Sequence, residues 1–318
     1  MPPETLSIGS PLLWAGFTVF VLLMLALDLG VFHRKAHAVT VKEALVWSLV
    51  WIGLSCLFAG GLYVFAGPTP ALEFSAGYLI EKALSVDNIF IFVLIFTGLG
   101  VPAAYQHRVL FWGVLGALVM RAIFIGLGAA LLARFHWIMY LFGGLLVFTA
   151  IKLMVTEEGE FKPEDSRFYR FFRRVVPSTE GYEGQRFFVR RNAKWLATPL
   201  FFVLILVEVT DLLFAVDSIP AIFAVTQDPF IVYTSNIFAI LGLRSLYFLL
   251  AGVVERFHYL KPALSVILGF VGVKMLLIDV YKIPIGLSLA VIAGVLVVAV
   301  VLSIRRERQV QAAGEGPA

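Results

Sequence analysis

The chain has 318 residues, 60% of them hydrophobic and only 14% charged, with a mean hydropathy of +0.94. That profile excludes a soluble globular enzyme domain and a disordered chain as the main architecture, and points to a polytopic membrane protein. The net charge of +4 depends for its meaning on where the basic residues sit, and the single cysteine, Cys56, allows no internal disulfide and no cysteine-rich metal site.

A helix needs about 20 apolar residues to cross the hydrocarbon of a bilayer. Nine stretches reach that length in chain order: 11–32, 42–66, 73–98, 106–133, 137–155, 197–224, 231–254, 260–281 and 284–304. The opening MPPETLSIGSP has no basic n-region and no small-residue cleavage pattern, so no cleavable signal peptide is expected. Backbone groups in lipid must bond internally, and no strand-like alternation of a barrel is present. The expected fold class is therefore all-α: one polytopic transmembrane bundle of about nine helices over 1–318.

Lysine and arginine set the orientation. Segment one is followed by Arg34, Lys35 and Lys42, and segment five by the basic 156–196 loop with RFYRFFRR (167–174) and VRRNAK (189–194). Segment seven is followed by Arg256 and Lys261, and the tail carries Arg305, Arg306 and Arg308. The alternate turns, around 67–70, Arg134, 226–230 and Lys282, are almost free of positive charge. The expected placement is a bacterial inner membrane with the N-terminus outside and the C-terminus cytoplasmic. Basic cytoplasmic loops make a nucleic-acid reading unnecessary, and RFYRFFRR has the composition to lie on the membrane surface.

A weak internal repeat runs through the chain. SVDNIF (85–90) matches AVDSIP (215–220), MRAIF (120–124) matches LRSLY (243–247), RFHW (134–137) matches RFHY (256–259), and AIKLM (150–154) matches GVKML (272–276). Arg121 to Lys152 is 31 positions and Arg244 to Lys274 is 30. Segments 3–5 (73–155) thus match segments 6–8 (197–281), with 284–304 as the last helix. Three helices per repeat reverse the second copy in the membrane, the inverted-repeat pattern of transporters.

The polar residues sit at matching places. Segment three carries Glu81, Lys82, Asp87 and Asn88; segment six carries Glu208, Asp211, Asp217 and Ser218. Asp87 aligns with Asp217, Asn88 with Ser218, and Glu81 with Asp211. Ionisable groups at membrane depth are costly and mark functional sites. The bland reading is buried ion pairing, with Arg121 and Arg244 as charge-compensating partners. The sharper one is a cation site, since carboxylate, amide and hydroxyl oxygens suit hard divalent ions. Asp211 and Asp217 are six residues apart, about 120° round a straight helix. Pro220 offers a way out by unwinding the helix at Asp217 and freeing the Val216 carbonyl. Asp87 and Asp217 are then expected to share one ion at the bilayer midplane. Ser235 and Asn236 could line the same cavity. His33 and His37 are weak metal candidates, Asp28 and Asp279 are expected near helix ends, and 156–165 reads as a solvated acidic loop.

EKALSVDNIFIF (81–92), VEVTDLLFAVDSIPAIFA (207–224) and SNIFAILGLRSLYF (235–248) closely resemble the signature segments of the TerC family. These are bacterial and plastid integral membrane proteins named for a link to tellurium resistance, and they include manganese exporters of the Alx type. The resemblance spans roughly 74–279. It implies Mn²⁺ export along a path of Glu81, Asp87, Glu208, Asp211 and Asp217. The expected function is a divalent-cation exporter, coupled to protons on the same carboxylates, with no resident cofactor and no catalytic residues. No HExxH, GxSxG or paired mid-membrane histidine supports an enzyme. The alternative is a membrane assembly or partner-binding factor that uses the 156–196 loop.

Overall fold

A computed structural model describes residues 7–32, 40–155, 171, 174–191, 194–251 and 259–314. Its helices are α1 (Pro11–Phe32), α2 (Val41–Ala66), α3 (Pro68–Gly98), α4 (Ala103–Arg134), α5 (Ile138–Val155), α6 (Pro199–Phe223), α7 (Pro229–Leu241), α8 (Leu243–Leu250), α9 (Leu260–Leu276) and α10 (Ile285–Gly314). Helices α7 and α8 are two pieces of segment seven, so each expected segment appears as helix and most ends agree within a few residues. Segment eight is shorter than expected and closes in a turn after Leu276. Among the described residues, six spans are long and apolar enough to cross a membrane: α2, α4, α5, α6, α7 with α8, and Ile285–Arg306 of α10. The chain is an all-α bundle of integral membrane type. The 156–196 loop adds a feature that its charge pattern hid. A small antiparallel hairpin, β1 (Phe188–Arg191) with β2 (Lys194–Ala197), leads into α6.

Local chemistry sets the ends. Thr40 caps α2 by accepting from the Glu43 N–H at 3.3 Å. Gly67, at φ +96°, makes the corner between α2 and α3, and Pro68 opens α3 without losing a helical hydrogen bond. Asp228 caps α7 and also accepts from Ser7 and from the Ile8 N–H, which ties the N-terminal segment to the α6–α7 turn.

Side-chain bonds sort the turns into two ends of the bundle. At one end Thr226 donates to Glu73, Gln227 reaches Met139, and Asp279 joins His136 and Tyr140. Those two partners hold the exposed Asp279 carboxyl below its ordinary range, the Tyr140 hydroxyl most of all. At the other end Tyr182 donates to the Leu99 carbonyl, Gln185 to that of Ala104, and Tyr247 to Gln106. This grouping alternates along the chain as the charge pattern does. Reporter fusions at Thr226 and Gln309 should therefore report opposite sides of the membrane; the same side for both would overturn the nine-crossing topology.

Two further features differ from expectation. Helix α6 does not unwind at Asp217 and runs unbroken through Pro220 to Phe223. The proline lies in the last turn, where one missing N–H and a displaced carbonyl are tolerated more easily than in mid-helix. The interruption falls instead at Gly242, between α7 and α8. A Cβ there would come within 2.8 Å of the Lys82 Nζ and 3.2 Å of the Trp51 Cβ. The Ala239 carbonyl, released from its bond to residue 243, accepts from Lys82 Nζ at 3.0 Å. An ammonium at the carbonyl end of a helix is favourable both as a hydrogen bond and against the helix dipole. Beside this break Phe17, Phe58, Phe74 and Phe238 form an aromatic cluster shared by α1, α2, α3 and α7.

Candidate functional site: a buried carboxylate–arginine cluster

Helical phase decides which polar groups meet. Glu81 and Asn88 are seven residues apart on α3, hence within about 20° on one face, and Asp211 and Ser218 repeat that spacing on α6. Both faces turn inward: Glu81, Asn88, Asp211 and Ser218 are each at most 3% exposed. Arg121 of α4, 1% exposed, lies between them. Its guanidinium pairs closely with Glu81 and reaches Asp211 Oδ1 at 3.4 Å, Ser218 Oγ at 3.2 Å and Asn236 Oδ1 of α7 at 3.2 Å. Asn236 in turn donates to Glu81 Oε2 at 3.3 Å, and Asn88 donates to Asp211 Oδ1 at 3.4 Å.

The cluster sets two carboxylates against one guanidinium. A buried charge without a partner costs several kcal/mol, so Arg121 is the group that lets Glu81 and Asp211 face each other. Some polar capacity is still unused. Asp211 Oδ2, Asn88 Oδ1 and Arg121 Nε have no hydrogen-bond partner from the protein. Two of these are acceptor oxygens on adjacent side chains. Asp211 also borders a cavity of about 10 Å³, room for about one water, that Arg244, Phe92, Val114 and Leu243 help to line.

The remaining expected residues lie around this core. Glu208 is half-buried one turn before Asp211 and packs over α4, where a methyl group on Gly116 would collide with its carboxylate. Asp217 is half-buried and turns toward α5, accepting from the Thr149 hydroxyl at 2.9 Å. Asp87 is half-buried on α3. Each of these two aspartates precedes by one residue the polar neighbour that joins the cluster, so each stands about 100° round its helix from it. The cation common to both helices is Arg121, and it joins Glu81 with Asp211. Arg244 is 7% exposed and lies at the cavity. Among the described residues, no three His, Cys, Asp or Glu side chains converge closely enough to hold a metal ion.

Sequence reasoning named Asn236 only as a lesser candidate, and it missed Thr149 and Gly116. A hydroxyl one turn before Lys152 and a small residue facing an acidic helix were the available signals. His33, His37, the Asp28 side chain, the 156–165 loop, most of RFYRFFRR and the RFH of 256–258 lie outside the described residues.

Apolar helices around an almost solvent-free polar centre define an integral membrane protein with a polar cluster inside its helix bundle. The chain belongs to the integral membrane protein TerC family, whose model matches residues 66–311. It is 59% identical over 302 residues to the uncharacterized membrane protein STKORF319 of Myxococcus xanthus, covering 95% of each chain. It is 51% identical over 306 residues to an Escherichia coli K12 protein named "Putative membrane-bound redox modulator Alx", covering 93% of this chain and 95% of that one. An uncharacterized membrane protein of Rickettsia bellii is 43% identical over 294 residues, 92% of this chain and 97% of its own. No solved structure matches the chain.

Proposed function

We propose that this protein exports a divalent cation, Mn²⁺ first among the candidates, through the carboxylate cluster between α3 and α6. The observation that carries the reading is the buried pair Glu81 and Asp211 on one arginine, beside acceptor oxygens of Asp211 and Asn88 that nothing else takes. The cluster as described is closed by its own cation. In this reading Arg121 holds the carboxylates while no ion is bound, and an arriving cation displaces it. Carboxylate and amide oxygens match hard divalent ions, and among the described residues no Cys or His side chain joins the cluster. Glu208, Asp87 and Asp217 would extend the path on either side, and Arg244 would balance charge at the cavity. Protons exchanged on the same carboxylates would drive export against an interior-negative potential.

Reciprocal contacts support an inverted repeat as the frame for such a cycle. Asn88 bonds Asp211, and their aligned counterparts Ser218 and Glu81 both accept from the Arg121 guanidinium. Helices α5 and α9 cross with Gly143 against the Gly272 backbone, while Ser265 and Ala150, the aligned counterparts, meet through a 2.6 Å hydrogen bond. Helix α3 packs along α7 as α6 packs along α4. The reading places the protein in a bacterial inner membrane, N-terminus outside, as a transporter and not an enzyme.

The name of the E. coli relative suggests redox modulation. A dithiol mechanism within this chain is not available, because Cys56 is its only cysteine. A change in cellular manganese would alter redox balance without redox chemistry in this protein. The test is metal flux: purified protein in liposomes should move Mn²⁺ with no added partner, and Asp211→Asn should stop it while the protein remains folded. No flux from the native protein would favour the assembly-factor reading.

A further inference from the structure

The hairpin that precedes α6 has an outward face with no role in the cluster. Opposed residues of an antiparallel pair share a face, and the register sets Arg190 against Trp195 and Phe188 against Ala197. Phe188, Arg190 and Trp195 therefore lie together. The other face turns into the protein through Val189, 6% exposed. On the outward face Trp195 is 67% exposed and Phe188 45%. Phe188 packs on Phe201, in the first turn of α6, with ring centroids 4.5 Å apart. An aromatic line thus runs off the end of a membrane helix onto the hairpin.

The hairpin is held in one orientation. The Thr198 N–H donates to the Phe187 carbonyl at 2.9 Å, and the Ala197 N–H to that of Pro177 at 2.9 Å. Tyr182 and Gln185 pin the preceding segment to the α3–α4 turn. Trp195 lies four residues before Pro199, so it is at most about 14 Å of chain from the start of α6. The headgroup zone is roughly 5–8 Å deep on each side of the hydrocarbon. Arg191 pairs with Glu183, whereas Arg190 and Lys194 are exposed and have no carboxylate partner among the described residues. Tryptophan is enriched at headgroup depth, and basic side chains there meet lipid phosphates.

We propose that the β1–β2 hairpin is a foot that rests on anionic lipid headgroups. Trp195 and Phe188 enter the interface, and Arg190, on the same face, pairs with phosphate. The occupant is lipid, because the face continues the lipid-entering end of α6 and its free charge, Arg190, is positive. The foot would fix the depth at which α6 enters the bilayer, and with it the depth of Asp211.

The test uses the full chain in nanodiscs of phosphatidylcholine, with and without phosphatidylglycerol. The Trp195 signal is isolated as the difference between native protein and Trp195→Phe. Lipids brominated near the headgroup should quench it, more strongly when phosphatidylglycerol is present. Arg190→Gln should weaken the anionic preference roughly fivefold. Thermal unfolding of each variant confirms that it is folded. A Trp195 signal open to aqueous iodide and untouched by brominated lipid would overturn the proposal and leave the face to a protein partner. Equal quenching in both membranes, unchanged by Arg190→Gln, would also overturn it. Neither outcome depends on metal transport.

Discussion

Arg121→Leu should destabilise the protein by about 3–5 kcal/mol, the cost of leaving buried charge uncompensated. The substitution keeps apolar volume and removes the one cation that contacts both Glu81 and Asp211. Lys82 is engaged with the Ala239 carbonyl at the α7–α8 break, and Arg244 borders the cavity beside Asp211. Adding Glu81→Gln and Asp211→Asn should restore most of the loss, because a neutral, well-packed centre is often as stable as an ion pair. Unfolding in detergent, followed by heat or denaturant, reads both effects. A single variant as stable as the native protein would show that the two carboxylates do not need the arginine. A triple variant no better than the single would show that the loss came from packing. The same comparison bears on transport: the triple variant should be stable and inactive, which separates the two uses of these carboxylates.

Gly272→Ala should cost about 1–3 kcal/mol, in the range of overpacked cores. A Cβ at Gly272 would stand 2.9 Å from the Gly143 carbonyl oxygen, 2.9 Å from Val147 Cγ2 and 3.0 Å from Leu146 Cβ. The first of these is backbone and cannot turn away, so α5 and α9 would have to separate. Small residues at a helix crossing are the usual means of close approach inside membranes. Gly144 supplies an internal control. Its added Cβ meets nothing within 4 Å, so Gly144→Ala should be neutral or slightly stabilising through helix propensity. Equal effects at Gly272 and Gly144 would mean that the crossing is not tight.

Much of this was legible in the sequence because bilayer thickness and helical phase are local rules. The nine apolar stretches became helix, most of them within a few residues of their expected ends; α9 is shorter, and α10 runs on to Gly314. The seven-residue spacing of Glu81 with Asn88, and of Asp211 with Ser218, already set each pair on one face. What the sequence could not supply was the position of α4 between them. That placement, not the number of carboxylates, selects Glu81 and Asp211 from five candidates. The helix break was misplaced for a related reason. Pro220 is conspicuous in a sequence, but its effect depends on its distance from the helix end. Gly242 is inconspicuous, and its importance comes from Lys82 and Trp51, more than 150 residues away in the chain. The hairpin was hidden because a basic loop and a basic hairpin have the same composition.

The break at Gly242 has a consequence for how the protein is made. Helix α7 has 13 residues and α8 has 8, so they are about 20 Å and 12 Å long against roughly 30 Å of hydrocarbon. Neither piece can cross alone, and their combined stretch is the least apolar and the most enclosed by protein of the six spans. Such a segment gains little by leaving the translocation channel for lipid unaided. It needs a partner that supplies both a buried surface and a donor for its open carbonyl end. Helix α3 supplies both, and it is synthesised some 150 residues earlier. The order of the chain therefore puts the template in the membrane before the segment that depends on it. Swapping the two segments in sequence would leave α7–α8 emerging with nothing to receive it.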